Sequence, residues 1–450
     1  MKSIRRGQAM TALFILVFVA GMVALVLKIN KEAEFYMTNA TEQVLGKVYD
    51  RSGDVLFDNS GTEYEENYFL DVGNIIGDAE GQMTNTLVAC NLDKLNNYSF
   101  TTGLMETGGK AAIYSTLDHY ANRAVYNAYG DRKGCAVAYN YKTGEILVCA
   151  SLPSLDVTKG YDDIDSFETG TLISKNFYGT VPGSTQKVST LAAALEVMGA
   201  DTLFSKSFTC TGVYTNKTGD DIKCHNSAGH GTQNIQQAIE NSCNPFFAQL
   251  VEDEDLPLDG IKYVYRNMGY AINDDEPTTF EIDGITCEKA STTLEDAYEF
   301  DTQWGCIGQG DTLVSPIQLM MWQSAIANGT GKMTMPYLID HVTDVTGKIT
   351  ERAETEYSDE VFSSSTAETI REILLTNGSD NYSYLINGYT VGVKSGTAQV
   401  KNGDEENSLL VGFVDDTRHP IAFCIMIEDK NNGNITTDQI AQIMLDALCS

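Results

Sequence analysis

The chain has 450 residues, 42% of them hydrophobic, and 62 acidic against 30 basic side chains give a formal net charge of -32. That length and apolar content suffice for one large domain with a smaller one, and exclude a disordered chain or a scaffold held by disulfides alone. So acidic a balance repels phosphate backbones and argues against nucleic acid as a partner.

Residues 7–27 form an uncharged run rich in Leu, Val, Ala, Phe and Met. As a helix rising about 1.5 Å per residue, the run spans roughly 30 Å, one bilayer core. Lys2, Arg5 and Arg6 precede it, while Glu32 and Glu34 follow. The positive-inside rule then predicts a cytoplasmic tail (1–6), a transmembrane anchor (7–29) and an extracytoplasmic remainder, a single-pass protein of the cell membrane. A cleaved signal peptide has a shorter apolar stretch and a small-residue cleavage site, and no clear A-x-A is present here. Residues 30–110 are polar and irregular, a short extracytoplasmic pedestal in which 46–59 (GKVYDRSGDVLFDN) reads as a hairpin around Ser52-Gly53.

The pattern tightens from residue 111. Periodicity predicts a helix over 117–128, a strand over 135–141, a turn at Lys142-Thr143-Gly144 and a strand over 145–151. Helices follow at 184–198, 235–240 and 316–328, then strands at 389–394, 409–414 and 421–428, and a closing helix over 437–448. Strands, then helices, then strands and a last helix describe one α/β domain, 111–450, whose sheet is completed by distant parts of the chain. Ten cysteines show no C-x-x-C, and most are expected to be free and buried. Cys210 and Cys224 bracket a polar loop and form the best disulfide candidate. Cys210, Cys224, His225 and His230 can be drawn as a zinc site, but their spacing fits none of the usual finger patterns, so no metal or cofactor is expected.

Ser184-Thr185-Gln186-Lys187 follows Pro182-Gly183 and opens a strongly helical run. A spacing of three puts Ser184 and Lys187 on one face, where a neutral amine can take the hydroxyl proton. Such a lysine needs burial or a second cation to lower its pKa. The Ser184 N-H at a helix start also favours an oxyanion. Of three Lys-[Ser/Thr]-Gly stretches, Lys142-Thr143-Gly144 reads as a hairpin turn and Lys217-Thr218-Gly219 lies in a polar loop. Lys394-Ser395-Gly396-Thr397 instead follows the alternating strand YTVGV, where a glycine leaves room for a second backbone. Two Ser-x-Asn stretches compete as a polar bridge. Ser379-Asp380-Asn381 falls in TNGSDNYS, read as a solvated loop, whereas Ser242-Cys243-Asn244 sits at a buried helix junction that holds geometry better.

Serine-lysine, serine-asparagine and Lys-Ser-Gly-Thr in this order resemble the motif set of penicillin-binding proteins and serine β-lactamases. The chain resembles a class B penicillin-binding protein across nearly its whole extent, through GKVYDRSG, TLD at 116–118, YKTGEILVCASLPSLD, VPGSTQK, GHG at 229–231, IGQG at 307–310, SPIQL at 315–319 and VKSGTAQ. The resemblance implies the β-lactamase-like transpeptidase fold, a central antiparallel sheet with flanking helices and an all-helical subdomain. It also implies a membrane-anchored D,D-transpeptidase that cross-links peptidoglycan stem peptides and is acylated by β-lactams. In that reading Ser184 attacks the penultimate D-alanine carbonyl, Lys187 takes its proton, and Ser242 passes a proton to the leaving amine. Asn244 holds Lys187 and the substrate amide, and Lys394 supplies positive potential. The N-H groups of Ser184 and Thr397 form the oxyanion hole, and Ser395, Gly396 and Thr397 bind the substrate, the two hydroxyls at its terminal carboxylate.

The run GDEENSLL stands where related enzymes carry an aromatic-containing stretch, so the acceptor side of the cleft is expected to differ. Cys243, inside the catalytic pair, reads as a small buried hydrophobe, and IGQG and GHG as scaffold turns without chemistry. A D,D-carboxypeptidase, a β-lactamase or a penicillin sensor would share the acylation step. A pedestal of about 80 residues is too short for a glycan polymerase, so family analogy implies a partner membrane glycosyltransferase of the SEDS type.

Overall fold

The structure, a computed structural model, describes residues 2–37, 44–60, 69–78, 80–99, 103–104, 109–157, 160–162, 164–273, 275–276 and 278–450. A helix, Lys2–Met37, opens the chain, and its apolar stretch Arg5–Lys28 is not buried against any other part. Phe14 and Leu16 stay 80% and 68% exposed, an arrangement that water disfavours and a lipid core accepts.

The central sheet has five strands, β1 (Gly134–Asn140), β2 (Ile146–Leu152), β3 (Val391–Val400), β4 (Glu405–Val414) and β5 (Ile421–Ile427). Their order is β3-β4-β5-β1-β2, every neighbouring pair antiparallel. All residues of β2 and β5 are buried, because helices cover both faces of the sheet. Residues alternate accordingly: Ala136 and Ala138 face the helices His119–Tyr129 and Thr437–Leu448, while Cys135, Val137 and Tyr139 join the core containing the helix Pro316–Ala327. Strand β3 lies at the end of the sheet and keeps one edge open.

Between β2 and β3 the chain forms helices separated by small two-stranded ribbons, such as Thr279–Ile282 with Ile285–Glu288. The predicted hairpin is present as Lys47–Tyr49 against Val55–Phe57, turning at Gly53 with φ 92°. Its sheet is completed by Ala112–Ser115, Ile339–Thr343 and Ile349–Arg352. The remaining pedestal calls fall partly outside the described residues.

Two expectations are corrected. TNGSDNYS is not a loop, although Ser379, Asp380 and Asn381 are exposed as expected: Gly378–Tyr382 continues the helix Ser364–Asn377 as a wider turn. Gly378 lets the turn meet the sheet, since a Cβ there would lie 1.8 Å from the Val391 carbonyl oxygen. Asn377 meanwhile donates to the Val393 carbonyl at 2.7 Å, so its polarity serves a strand end. The other correction concerns sulfur: all ten cysteines are free, including Cys210 and Cys224.

Tyr129 ties one covering helix to the sheet, its hydroxyl reaching the carbonyls of Cys135 (2.6 Å) and Met426 (2.9 Å) while fully buried. Tyr129→Phe is expected to destabilise the protein by about 1 to 3 kcal/mol, because two buried acceptors lose their donor. Denaturant titration of the purified chain checks this, and an unchanged midpoint would contradict it.

Candidate active site

The nucleophile turn departs from the expectation that an α-helix begins at Ser184. Gly183–Gln186 is a 3-10 turn and the α-helix proper is Lys187–Met198. Gly183 has φ 56°, and the Thr185 hydroxyl donates back to the Pro182 carbonyl at 2.7 Å, which tightens the chain. In a 3-10 turn residues three apart eclipse one another. Ser184 and Lys187 are thereby aligned, and Lys187 Nζ donates to Ser184 Oγ at 2.8 Å.

Lys187 is completely buried. Its amine also donates to the Ser242 carbonyl (2.7 Å), Asn244 Oδ1 (2.7 Å) and Ser242 Oγ (3.3 Å). Burial, followed by the positive charge of Lys394, holds its pKa well below the ordinary lysine value, and no carboxylate is among the causes. Lys394, 1% exposed, donates to Ser242 Oγ at 2.9 Å and to the Ser395 carbonyl at 2.8 Å. Burial pushes Lys394 down to about 7. An amine near a second cation in a dry site loses its proton more readily, so Lys187 is suited to be neutral while Lys394 keeps the charge.

Ser242 has φ 49°, a conformation uncommon for a residue with a Cβ. That bend directs its carbonyl and its hydroxyl toward the same amine. Asn244 begins the helix Asn244–Val251, and its amide donates to the Lys223 carbonyl at 3.0 Å, which leaves Oδ1 aimed at Lys187. Ser379-Asp380-Asn381 is not among the partners of Lys187 Nζ.

The expected strand 389–394 runs on through Lys-Ser-Gly-Thr as β3. Close packing against the nucleophile turn requires glycine on both sides. A Cβ at Gly396 would lie 2.7 Å from the Pro182 carbonyl oxygen, and one at Gly183 would lie 2.5 Å from that of Thr397. Ser184, Ser242, Asn244, Ser395, Gly396 and Thr397 line a cleft of about 700 Å³, with the amines of Lys187 and Lys394 bonded to its walls. All eight residues singled out in the sequence therefore meet at one place. Lys142-Thr143-Gly144 forms a turn, with Gly144 at φ 96°, and Lys217 stacks over Tyr298 at 4.1 Å. Both lie outside the cleft lining.

Other residues of the site were not singled out. Gln309, in IGQG, donates to the Thr397 carbonyl (2.9 Å) and accepts from the Gln399 N-H (3.0 Å), pairing the open edge of β3 as a strand would. Gly308 presses on the nucleophile turn, since a Cβ there would stand 2.0 Å from the Gly183 carbonyl oxygen. Glu406, from the unusual GDEENSLL run, lines the cleft and pairs with Lys430 at 2.8 Å, and Lys430 in turn reaches Thr397 Oγ1 at 3.5 Å. The strand expected at 409–414 starts at Glu405, so this polar run is part of the sheet. A Gln between two glycines was the available signal for the first of these; the pairing of Glu406 with Lys430 had none.

A sequence profile described as the penicillin binding protein transpeptidase domain matches residues 134–446. Stage V sporulation protein D of Bacillus subtilis is 32% identical over 292 residues, covering 62% of this chain and 42% of that protein. Peptidoglycan D,D-transpeptidase MrdA of Acinetobacter baumannii is 24% identical over 379 residues, covering 74% and 53%. The chain thus spans about half the length of these relatives. Among solved structures, the ceftriaxone acyl-enzyme of penicillin-binding protein A from Mycobacterium tuberculosis superimposes with a TM-score of 0.78 at 19% identity, covering 92% of this chain and 100% of that one. The D,D-transpeptidase domain of a peptidoglycan glycosyltransferase from Eggerthella lenta gives 0.74 at 24% identity, covering 90% and 98%.

Gly308→Ala is expected to destabilise the protein by about 1 to 3 kcal/mol more than Gly310→Ala. Both positions have positive φ, but only at Gly308 does a Cβ collide with backbone, the nearest contact at Gly310 being an ordinary 3.7 Å. Equal losses in thermal unfolding would contradict this packing.

Proposed function

Because this chain belongs to the penicillin-binding protein transpeptidase family, we propose that it is a D,D-transpeptidase in which Ser184 forms an acyl-enzyme with a peptidoglycan stem peptide. The observation that carries the reading is the buried Lys187 amine, 2.8 Å from Ser184 Oγ and without a carboxylate partner among the described residues. Neutral Lys187 takes the hydroxyl proton as Ser184 attacks the penultimate D-alanine carbonyl. The tetrahedral oxyanion is held by the N-H groups of Ser184 and Thr397. Thr397 turns its carbonyl to the open edge of β3, where Gln309 bonds it. In an extended strand the N-H and C=O of one residue point to the same side, which supports a cleft-facing Thr397 N-H.

Collapse of the intermediate expels the terminal D-alanine. Ser242 Oγ accepts from both lysines, so its own proton is available for the leaving amine, and Lys394 resupplies it. Asn244 fixes the Lys187 amine. The Ser395 and Thr397 hydroxyls, with Lys430 near Thr397, bind the terminal carboxylate. An amine from a second stem peptide then attacks the ester, forming the cross-link and freeing Ser184. β-Lactams enter the same path and stop at the acyl-enzyme.

The exposed apolar helix supports a single-pass anchor with a cytoplasmic tail and residues 111–450 outside the membrane, joined by the pedestal 30–110. A SEDS-type polymerase supplying glycan strands is the partner that family analogy proposes.

The nucleophile is tested by incubating the full-length chain in detergent with a fluorescent penicillin. Wild type is expected to form a long-lived adduct and Ser184→Ala none; equal labelling of both removes the nucleophile, and rapid turnover makes the enzyme a hydrolase instead. Lys187→Met is expected to slow acylation by about 10²- to 10⁴-fold, the size of a general-base contribution. The pH dependence follows from the base acting neutral. Lys187 gains a proton as pH falls through its lowered pKa, so acylation is lost on the acid side and present above it. Lys394→Ala removes a charge that lowers that pKa, and the acid limb should move to higher pH; a limb that stays in place would contradict the coupling.

A further inference from the structure

Tyr270, which takes no part in the proposed reaction, reaches the helix start that carries the reactive pair. Its hydroxyl donates to Gln186 Oε1 at 2.7 Å and also meets Ser189 Oγ at 3.2 Å, all three residues being buried. On the premise that Ser184 is the nucleophile, we propose that Tyr270 is a positioning residue: acting through Gln186, its hydroxyl holds Gly183–Gln186 in the 3-10 form that sets Ser184 Oγ against Lys187 Nζ.

The place of this bridge gives it that role. Gln186 is the last residue of the 3-10 turn, and Ser189 lies in the first turn of the α-helix Lys187–Met198. The hydroxyl therefore spans the junction at which the helix changes form. The Lys187 N-H donates to the Ser184 carbonyl, three residues back, and three residues of 3-10 helix make one full turn. In an α-helix the same spacing turns through only about 300°, which would leave Ser184 and Lys187 about 60° out of line. Holding Gln186 thus holds nucleophile and base in register.

Tyr270 is itself fixed. Its ring stacks on both Tyr265 (centroids 4.6 Å apart, planes at 22°) and Trp322 (5.2 Å, 18°). The Trp322 indole N-H donates to the Met268 carbonyl at 3.1 Å, and the Tyr270 N-H to the Tyr265 carbonyl at 3.0 Å. Burial pushes the Tyr270 pKa up, so the hydroxyl keeps its proton and donates. Gln186 also abuts the turn at Gly308, where a Cβ would lie 2.5 Å from the Gln186 Cβ. One residue past Ser189, the Tyr265 hydroxyl meets Thr190 Oγ1 at 2.8 Å and grips the same helix.

A simpler reading is that a buried phenol finds acceptors only to satisfy its own polarity. Any nearby acceptor would serve that need. Here the acceptor is the side chain next to the base and two residues from the nucleophile. Removing the oxygen separates the two roles: lost satisfaction lowers stability, whereas lost positioning lowers the rate of the folded enzyme.

The full-length chain in detergent is mixed with a fluorescent penicillin over a range of concentrations. The acylation rate constant at saturation, the half-saturating concentration and the final labelled fraction are read separately. Tyr270→Phe keeps the stacked ring and loses the oxygen. It is expected to lower the saturating rate constant about 10- to 100-fold, the size of a misplacement of about 1 Å, with the half-saturating concentration and the labelled fraction unchanged. Gln186→Met is expected to lower it similarly, and the double variant by no more than the larger single loss, because the two side chains act as one unit. A Tyr270→Phe rate constant equal to that of wild type, whether or not the labelled fraction falls, would leave only a structural role and overturn the proposal. Losses that multiply in the double variant would overturn action through Gln186. Wild type that never labels would overturn the acyl-enzyme reading itself, and the positioning role with it.

Discussion

A lysine amine buried with hydroxyl, carbonyl and amide acceptors and, among the described residues, no carboxylate is the constraint around which this protein is organised. Taking an ammonium out of water costs several kcal/mol unless a counter-ion or proton loss relieves it. Here burial, with the charge of Lys394, pushes the Lys187 pKa well down, in the direction of relief by proton loss. Lys187 meets the Ser242 carbonyl and Asn244 Oδ1, which accept the two hydrogens of a neutral amine, and Ser184 Oγ, whose hydroxyl can then donate to the amine lone pair. A carboxylate in place of Asn244 would keep the lysine charged and useless as a base. The second lysine is part of the same logic, because Lys394 sits across Ser242 and its charge disfavours a second one.

That arrangement requires three segments far apart in sequence to be packed at backbone contact, and much of the fold serves this end. The β3 edge, the 3-10 turn at Gly183–Gln186 and the turn at Gly308 touch through glycines that a side chain would push apart. Gln309 completes the open edge of β3 from the helical side. Helices on both faces of the sheet make β3 rigid, and a rigid edge is what allows hydroxyls and N-H groups to hold fixed positions in the cleft. The cost of strain at Ser242 is confined to a single residue, whose unusual φ aims two acceptors at one amine.

Much of this was legible in the sequence, and the parts that were not share a physical reason. Strong periodicity exposed the sheet strands and the helices read as 184–198, 316–328 and 437–448, and the order of the three motifs picked out eight residues that the fold brings together at the cleft. Where a polar side chain serves an internal partner, composition misled: Asn377 bonds a strand carbonyl and Gly378 permits contact, although Ser379, Asp380 and Asn381 beside them are exposed, as TNGSDNYS reads. The strand read over 409–414 likewise begins earlier, at Glu405, and pairs residue by residue with β3 from there. Cys210, Cys224 and His230 were grouped from the sequence, but Cys243 was not, because it belongs in sequence to the turn between Ser242 and Asn244 and in space to the loops after Cys210 and Cys224.

The central claim, that Lys187 is neutral where the enzyme works, is tested most directly by titrating its side chain. Lysine labelled with carbon-13 at Cε, read by NMR in the full-length chain and assigned with Lys187→Arg, gives the ionisation of that one amine. The account predicts a resonance that titrates well below the usual lysine value of about 10.4. A Lys187 resonance titrating at the ordinary value would contradict it, leaving the amine charged and unable to take the Ser184 proton.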